Sequence, residues 1–384
     1  MKNICSFIIT LLAICSCSNE NKSTNQNAVS TAPIATNKKV SAFSHRYFIT
    51  TAEIDSKIQP IKNGTIQESL KKNTLVKLLN EVSLFRDTVT VGKRKYIEPY
   101  EKVKVLSTGT ETWVFSGALK SIYTGENDLT DPQSLQSFSS MVENQDPTEL
   151  SSGKKVLDKL KELKSKDIIT NDAMFFMAYD YVNRLARSSK AHGELIANHQ
   201  WTLDDYNEII TGTMDMNQHP IGKILHENGL NLEGSLGDIL VKSNIRVVDD
   251  VVGNDVSTSV QKYIEMLQLS EKSKIFDNDN IIATLTSVAN QANLWSQFAT
   301  DYPEFTHISN VNMKSNRLTQ ALLKGTKNTA AFDHASREAK KEYRDIWNYV
   351  LKYYGETPLA TEVRSHTKWL EGRDWKFPEE KHVH

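Results

Sequence analysis

The sequence contains almost no cysteine, and that absence excludes several kinds of chemistry. All three cysteines, Cys5, Cys15 and Cys17, lie within the first 17 residues of the 384-residue chain. The rest of the chain therefore has no disulfide, no thiolate metal ligand and no cysteine nucleophile. An excess of charge is also missing, because 46 Lys and Arg residues oppose 47 Asp and Glu residues. This balance gives no reason to predict a nucleic-acid partner.

Nucleotide-binding and serine-hydrolase signatures are missing as well. The chain has no phosphate-binding glycine loop, and Ser116-Gly117 does not lie in the G-x-S-x-G pattern of a nucleophile elbow. We predict no cofactor and no metal, and the sequence assigns no catalytic residue. With 39% hydrophobic and 24% charged residues, the composition is that of an ordinary globular protein with room for two or three domains.

The N-terminal segment has the pattern of an export signal. Lys2 supplies a positive charge, and residues 4–15 form an almost uninterrupted apolar run. Such a run is too short to cross a bilayer, which takes about 20 residues, but it fits the apolar core of a signal peptide. The following Ile14-Cys15-Ser16-Cys17 resembles the lipobox of bacterial lipoproteins.

This resemblance implies a signal peptide over residues 1–16 and acylation of Cys17 with palmitate-type chains. Processing at Cys15 is an alternative, but it places the branched Ile14 where a small residue is expected. An ordinary cleaved signal peptide is the other alternative. Because Ser18 rather than an aspartate follows the modified cysteine, we expect the anchor in the outer membrane, facing the periplasm, with surface exposure as an alternative.

Residues 17–45 are rich in Ser, Thr, Asn and Lys and contain almost no large apolar side chain before Phe43. Such a segment cannot bury enough surface to offset the entropy lost on ordering. We therefore predict a flexible tether that holds the folded part of the protein away from the membrane.

Residues 46–126 carry the signals of a small β domain, because short β-prone runs alternate with turn residues. These runs are 75–79, 88–91 and 102–106. Three phrases, SLKKNTLVKLLN, TVTVGKRKYIEPYEKVKVL and ETWVFSGALK, resemble the bacterial SH3-like (SH3b) domain. Asn73 stands where that domain usually has glycine, and asparagine tolerates positive φ nearly as well.

The resemblance implies an SH3-like β-barrel that recognises a ligand of the cell envelope. Four aromatic side chains, Tyr96, Tyr100, Trp113 and Phe115, are predicted to line its ligand groove, as aromatic rings do in SH3-type recognition. The competing interpretation is that Trp113 and Phe115 belong to the core or rim of the barrel.

Residues 154–384 are predicted to form a mainly α-helical domain, joined to the barrel by a polar linker over residues 127–153. Apolar side chains in this region recur three and four residues apart. Asn171 and Asp172 are predicted to cap one of the helices, and only residues 245–252 favour a strand. The predicted fold class is thus a small all-β barrel followed by a mainly α-helical domain.

Histidines occur in two pairs with seven-residue spacing, His192 with His199 and His219 with His226. On an ideal helix this spacing separates the two rings of a pair by about 10 Å, too far for one metal ion. A metal site assembled from both pairs is an alternative, but we expect surface or capping histidines.

Together these features favour a non-enzymatic binding or scaffold lipoprotein of the cell envelope. Its expected partners are the membrane, through the lipid anchor, and peptidoglycan or an envelope protein, through the SH3-like module. One alternative is a peptidoglycan hydrolase whose active site contains no cysteine. The other is an immunity or inhibitor protein of the envelope.

Overall fold

The computed structural model of the chain describes residues 45–125, 127–235, 238–277 and 279–378. In these ranges an antiparallel sheet of seven strands precedes a mainly helical region with twelve helices. The predicted order of a β part followed by a helical part is confirmed. The predicted signal peptide, Cys17 and nearly all of the predicted tether lie outside the described residues.

Seven strands form the large sheet: β1 (His45–Thr50), β2 (Ile54–Lys57), β3 (Ile66–Leu70), β4 (Leu75–Val91), β5 (Arg94–Val105), β6 (Glu111–Phe115) and β7 (Leu119–Gly125). Their spatial order is β3-β2-β6-β5-β4-β1-β7, so β3 and β7 are edges and the sheet is open. The first strand, β1, is an inner strand that pairs antiparallel with both β4 and β7.

The longest strands, β4 and β5, form a hairpin joined by a tight turn. Gly92 adopts the left-handed conformation that this turn requires, with φ 59°. The runs 75–79 and 88–91, predicted as separate strands, are parts of β4. Two register shifts between Leu78 and Arg86 interrupt its pairing with β5. Irregularities of this kind bend and twist a strand.

The sheet shares its core with the helices. Five of its buried side chains belong to the same apolar cluster as the helical region: Tyr47, Ile49, Leu75, Ile122 and Tyr123. Polar contacts reinforce this junction. The Gln136 side chain accepts a hydrogen bond from the Leu75 amide and donates one to the Asn73 carbonyl. The Thr124 amide donates to Thr306 Oγ1, 182 residues later in the chain.

The helices are α1 (Pro132–Glu143), α2 (Ser152–Leu163), α3 (Ile168–Arg187), α4 (Ser189–Ala197), α5 (Leu203–Thr211), α6 (Pro220–Glu227), α7 (Ile245–Val252), α8 (Thr258–Lys272), α9 (Leu285–Asp301), α10 (Ile308–Lys324), α11 (Lys341–Tyr353) and α12 (Pro358–Glu371). Two small hairpins accompany them, β8 (Leu230–Ser235) with β9 (Asp238–Ser243), and β10 (Phe276–Asp277) with β11 (Asn280–Ile281). No helix in the described ranges is both long and apolar enough to cross a membrane.

Residues 245–252 form helix α7, so the predicted strand is wrong. The β-branched residues of this run favour a strand locally. However, the buried side chains Ile245, Val248 and Val252 follow the helical spacing of three and four. Asn244 caps the helix by accepting a hydrogen bond from the amide two residues later. The range predicted as a linker, 127–153, likewise contains a helix, α1, with one buried apolar face.

Most side chains of α3 are buried, and this helix lies at the centre of the helical region. Asn171 and Asp172, predicted to cap a helix, lie inside α3 instead, and Asp167 is its cap. The Asn171 amide donates to the Asp255 carbonyl, and Asp172 Oδ1 accepts from the Ser257 amide at 2.8 Å. The two polar side chains therefore fix the loop that leads into α8.

Candidate functional site

A cleft of about 600 Å³ opens where β7 meets helices α3, α8 and α10. Its lining includes four cationic side chains and a single carboxylate, that of Asp180. The cations are Lys120, Arg184, Arg187 and Lys314. The cleft therefore carries an excess of positive charge in a protein whose total charge is nearly balanced.

The regular geometry of α3 brings three of these charges together. Asp180, Arg184 and Arg187 follow one another at spacings of four and three, which places them on one face of the helix. On the opposite wall, Lys120 Nζ lies 4.0 Å from Asp180 Oδ2. Asn183 links α3 to β9, because its Oδ1 accepts a hydrogen bond from Ser243 Oγ.

The two arginines are exposed, and no carboxylate in the described ranges pairs with them. The Arg184 guanidinium lies 5.2 Å from the centre of the Tyr181 ring, which orients it. Guanidinium groups bind carboxylates and phosphates through paired hydrogen bonds. Arg184 and Arg187 are thus available to an anionic ligand that enters the cleft.

Aromatic rings form the floor of the cleft. Tyr263 is only 3% exposed, and the His307 ring stacks on Phe176 with 4.3 Å between the ring centres. Burial lowers the pKa of His307. Of the two nearby charges, Asp180 raises this pKa and Lys120 lowers it, and the net shift is downward. A neutral His307 therefore provides a flat, weakly polar surface against which an organic ligand can pack.

Lys314 connects this cleft to two neighbouring cavities of about 400 and 270 Å³. Its Nζ lies 4.6 Å from the centre of the Trp295 ring, and burial lowers its pKa to about 8. Glu271 lines the smaller cavity, and burial raises the pKa of its carboxyl group. An amine and a carboxyl group with pKa values shifted toward neutrality are suited to proton transfer as well as to binding.

The predicted groove residues of the sheet are mostly buried. Tyr100, Trp113 and Phe115 are 3%, 7% and 1% exposed and pack in one cluster with Val91. Of the four predicted residues, only Tyr96 is partly exposed. The rings of Trp113 and Phe115 are thus buried side chains of the sheet, in line with the competing interpretation that they belong to the core or rim of the β domain. A ligand groove on this surface stays a prediction, and Tyr96 is the ring that a ligand can reach.

The structure brings together one histidine from each of the two sequence pairs. His199 and His219 lie with their ring centres 5.1 Å apart, and Asp205 lies beside them. The other members have different surroundings. His192 Nε2 lies 2.9 Å from the Ala186 carbonyl oxygen, and His226 Nδ1 is buried.

Comparison of the chain with protein-family models, curated proteins and solved structures gave no match.

Proposed function

We propose that the protein is a non-enzymatic binding protein of the bacterial cell envelope, and that its cleft holds a ligand bearing carboxylate groups. The observation that carries this proposal is the set of four cations facing one carboxylate above an aromatic floor. The exposed Arg184 and Arg187 supply the paired donors that a carboxylate requires. Peptidoglycan peptides carry free carboxylates, and we propose peptidoglycan as the partner.

The full chain, purified in mild detergent, is titrated with soluble peptidoglycan fragments in a calorimeter. We expect the double variant Arg184→Ala/Arg187→Ala to bind at least about tenfold more weakly, because each charged hydrogen bond contributes about 1.5–3 kcal/mol. The matched control is Arg364→Ala/Arg373→Ala, which removes the same charge from exposed positions in and just after α12. Equal affinities of the two double variants would contradict the proposal.

A second candidate function is peptidoglycan hydrolysis, which the shifted pKa values of Glu271 and Lys314 favour. Incubation of the protein with intact peptidoglycan separates the two functions, because a hydrolase releases soluble fragments over time and a binding protein does not. Release that is abolished by Glu271→Gln, with binding retained, would establish the enzyme and exclude the non-enzymatic function.

We also propose that the seven-stranded sheet is an SH3-like module that contacts the same wall ligand. Three features support this proposal: the antiparallel pairing of the strands, the bends in β4, and Asn73 at φ 67°, where the family usually has glycine. Tyr96 is its candidate contact residue. In the titration described above, Tyr96→Ala should weaken binding independently of the cleft variants, and an unchanged affinity would remove this role.

The proposed location is the outer membrane, with a lipid anchor at Cys17. The pattern Ile14-Cys15-Ser16-Cys17 supports this proposal. Cells that express the chain are labelled with a palmitate analogue. We expect the label to disappear in Cys17→Ala and to persist in Cys15→Ala. The reverse result would assign the anchor to Cys15. Label that persists in both variants would show that neither cysteine is the sole site of acylation.

A further inference from the structure

Away from the cleft, His199, Asp205 and His219 converge where α4, α5 and α6 succeed one another. One potential ligand atom from each of the three side chains lies within 4.8 Å of the other two. His219 Nε2 is 3.8 Å from Asp205 Oδ1. Donor atoms of a tetrahedral zinc site lie roughly 3.4 Å apart, as follows from zinc–ligand distances of about 2.0–2.2 Å. A small shift of the side chains therefore closes the group around an ion.

The carboxylate of Asp205 is held in place by the start of α5. Thr202 and Asp205 form a capping box, in which the Thr202 amide and hydroxyl both donate to Asp205 Oδ2 at 2.8 and 2.7 Å. The other oxygen, Oδ1, is left pointing at His219. Outer contacts of this kind orient metal ligands in known sites.

The two imidazoles are held by the indole of Trp201. Its ring stacks on His219 at an interplanar angle of 7° and meets His199 edge to face at 75°. The indole is itself anchored, because Trp201 Nε1 donates to the Ile196 carbonyl at 3.0 Å. The three ligands are thus positioned by a short, tightly contacted stretch of chain, and all three remain partly open to solvent.

We infer that His199, Asp205 and His219 form a binding site for a divalent transition-metal ion, with Zn²⁺ as the fitting ion. Two imidazoles and one carboxylate are ligands that zinc accepts, and a tetrahedral ion would keep its fourth position for water. The hard cations calcium and magnesium fit less well, because they prefer oxygen ligands throughout. This site lies outside the proposed peptidoglycan-binding function and does not depend on it.

His219 has a competing structural role that the test must separate from metal binding. Its Nδ1 accepts a hydrogen bond from the Gly222 amide at 3.2 Å and so caps α6. In the neutral ring the proton is then on Nε2. Coordination through Nε2 requires that proton to move to Nδ1, so the bond from Gly222 is given up when the ion binds.

The test is calorimetric titration of the purified full chain, first treated with chelator, with zinc chloride alone. We expect one equivalent of Zn²⁺ to bind and the melting temperature to rise with occupancy. His219→Asn keeps an N-cap acceptor, because asparagine is a preferred cap, but it removes the imidazole. We expect this variant, and separately His199→Ala, to bind zinc at least about tenfold more weakly.

The matched control is His334→Asn, which removes an exposed imidazole elsewhere in the chain and should leave zinc binding unchanged. Circular dichroism melts in chelator establish that the variants fold like the unchanged protein. Zinc binding that survives both His219→Asn and His199→Ala, or no stoichiometric binding by the unchanged chain, would overturn the site. His219 would then be a helix cap only.

Discussion

Replacing Trp347 with alanine should lower the free energy of unfolding by about 3–5 kcal/mol, the range for removal of a buried tryptophan. The Trp347 side chain is fully buried on α11, and its ring stacks with Trp375 and contacts His366 edge to face. Its Nε1 donates to the Leu322 carbonyl at 2.9 Å. The variant therefore loses both a large apolar contact and a buried hydrogen bond.

The Leu322 carbonyl belongs to the last turn of α10, where carbonyls have no partner within the helix. Two other carbonyl oxygens of this turn accept hydrogen bonds from backbone amides. The Ala321 carbonyl accepts from the Gly325 amide, and the Lys324 carbonyl accepts from the Ala331 amide. Trp347 thus caps the helix from a different element. Trp347→Phe, which keeps a ring but removes the donor, should cost about 1–3 kcal/mol for the unsatisfied carbonyl in addition to lost packing.

The measurement is urea unfolding followed by circular dichroism. Tyr353→Ala on the same helix is the control, because this ring is 60% exposed and its loss should change stability by less than about 1 kcal/mol. A cost for Trp347→Ala no larger than that of the control would show that the packing of α11 against α10 does not stabilise the fold.

Replacing Asp172 with asparagine should stabilise the protein above neutral pH. Asp172 is 3% exposed, and burial raises the pKa of its carboxyl group to about 6. The folded protein therefore binds this proton more tightly than the unfolded chain, whose carboxyl has the ordinary value near 3.8. Stability from this group is fully present below about pH 4 and is lost as the pH rises through 6.

The size of the effect follows from the shift of the pKa. At pH 7.5 a shift of about two pKa units lowers the free energy of unfolding by about 3 kcal/mol, because the buried group is charged. Near pH 4 this cost falls below about 1 kcal/mol. Asparagine removes that charge and keeps an oxygen that accepts from the Ser257 amide. We therefore expect Asp172→Asn to gain up to about 3 kcal/mol at pH 7.5 and little near pH 4.

Urea midpoints of the variant and the unchanged protein at the two pH values test this expectation. Asp158→Asn, at an exposed position on α2, is the matched control and should show no such pH dependence. A gain that is equal at both pH values would mean that Asp172 is not a buried charge. A loss at pH 7.5 would mean that the Ser257 amide and the start of α8 stabilise the carboxylate more than burial destabilises it.

Local signals in the sequence predicted much of the secondary structure. Helix starts are local features: Thr202 and Asp205 form the capping box of α5, and Pro220 is the first residue of α6. Residues 245–252 form a helix although their β-branched side chains favour a strand. The buried helix face and the Asn244 cap outweigh that strand preference. The hairpin of β8 and β9 was not predicted.

The candidate sites were less accessible to sequence reasoning, because their residues are far apart in the chain. The cations of the cleft come from β7, α3 and α10, and no short motif joins Lys120 to Lys314. His219 caps α6, as expected of a capping histidine. Spacing along one helix does not show which rings of the two pairs meet in the fold. The rings that meet, His199 and His219, lie in loops and at a helix cap. Neither Asp205 nor Trp201 belongs to a recognisable ligand pattern.

The inner position of β1 has a consequence for the order of folding. This strand is made early, yet one of its two partners, β7, follows about 70 residues later, and the Thr124–Thr306 hydrogen bond closes a loop of 182 residues. Contacts over such distances form slowly, because a long stretch of chain must be ordered before they are gained. The edge of β1 that pairs with β7 therefore lacks its partner until the chain has been synthesised to at least residue 125.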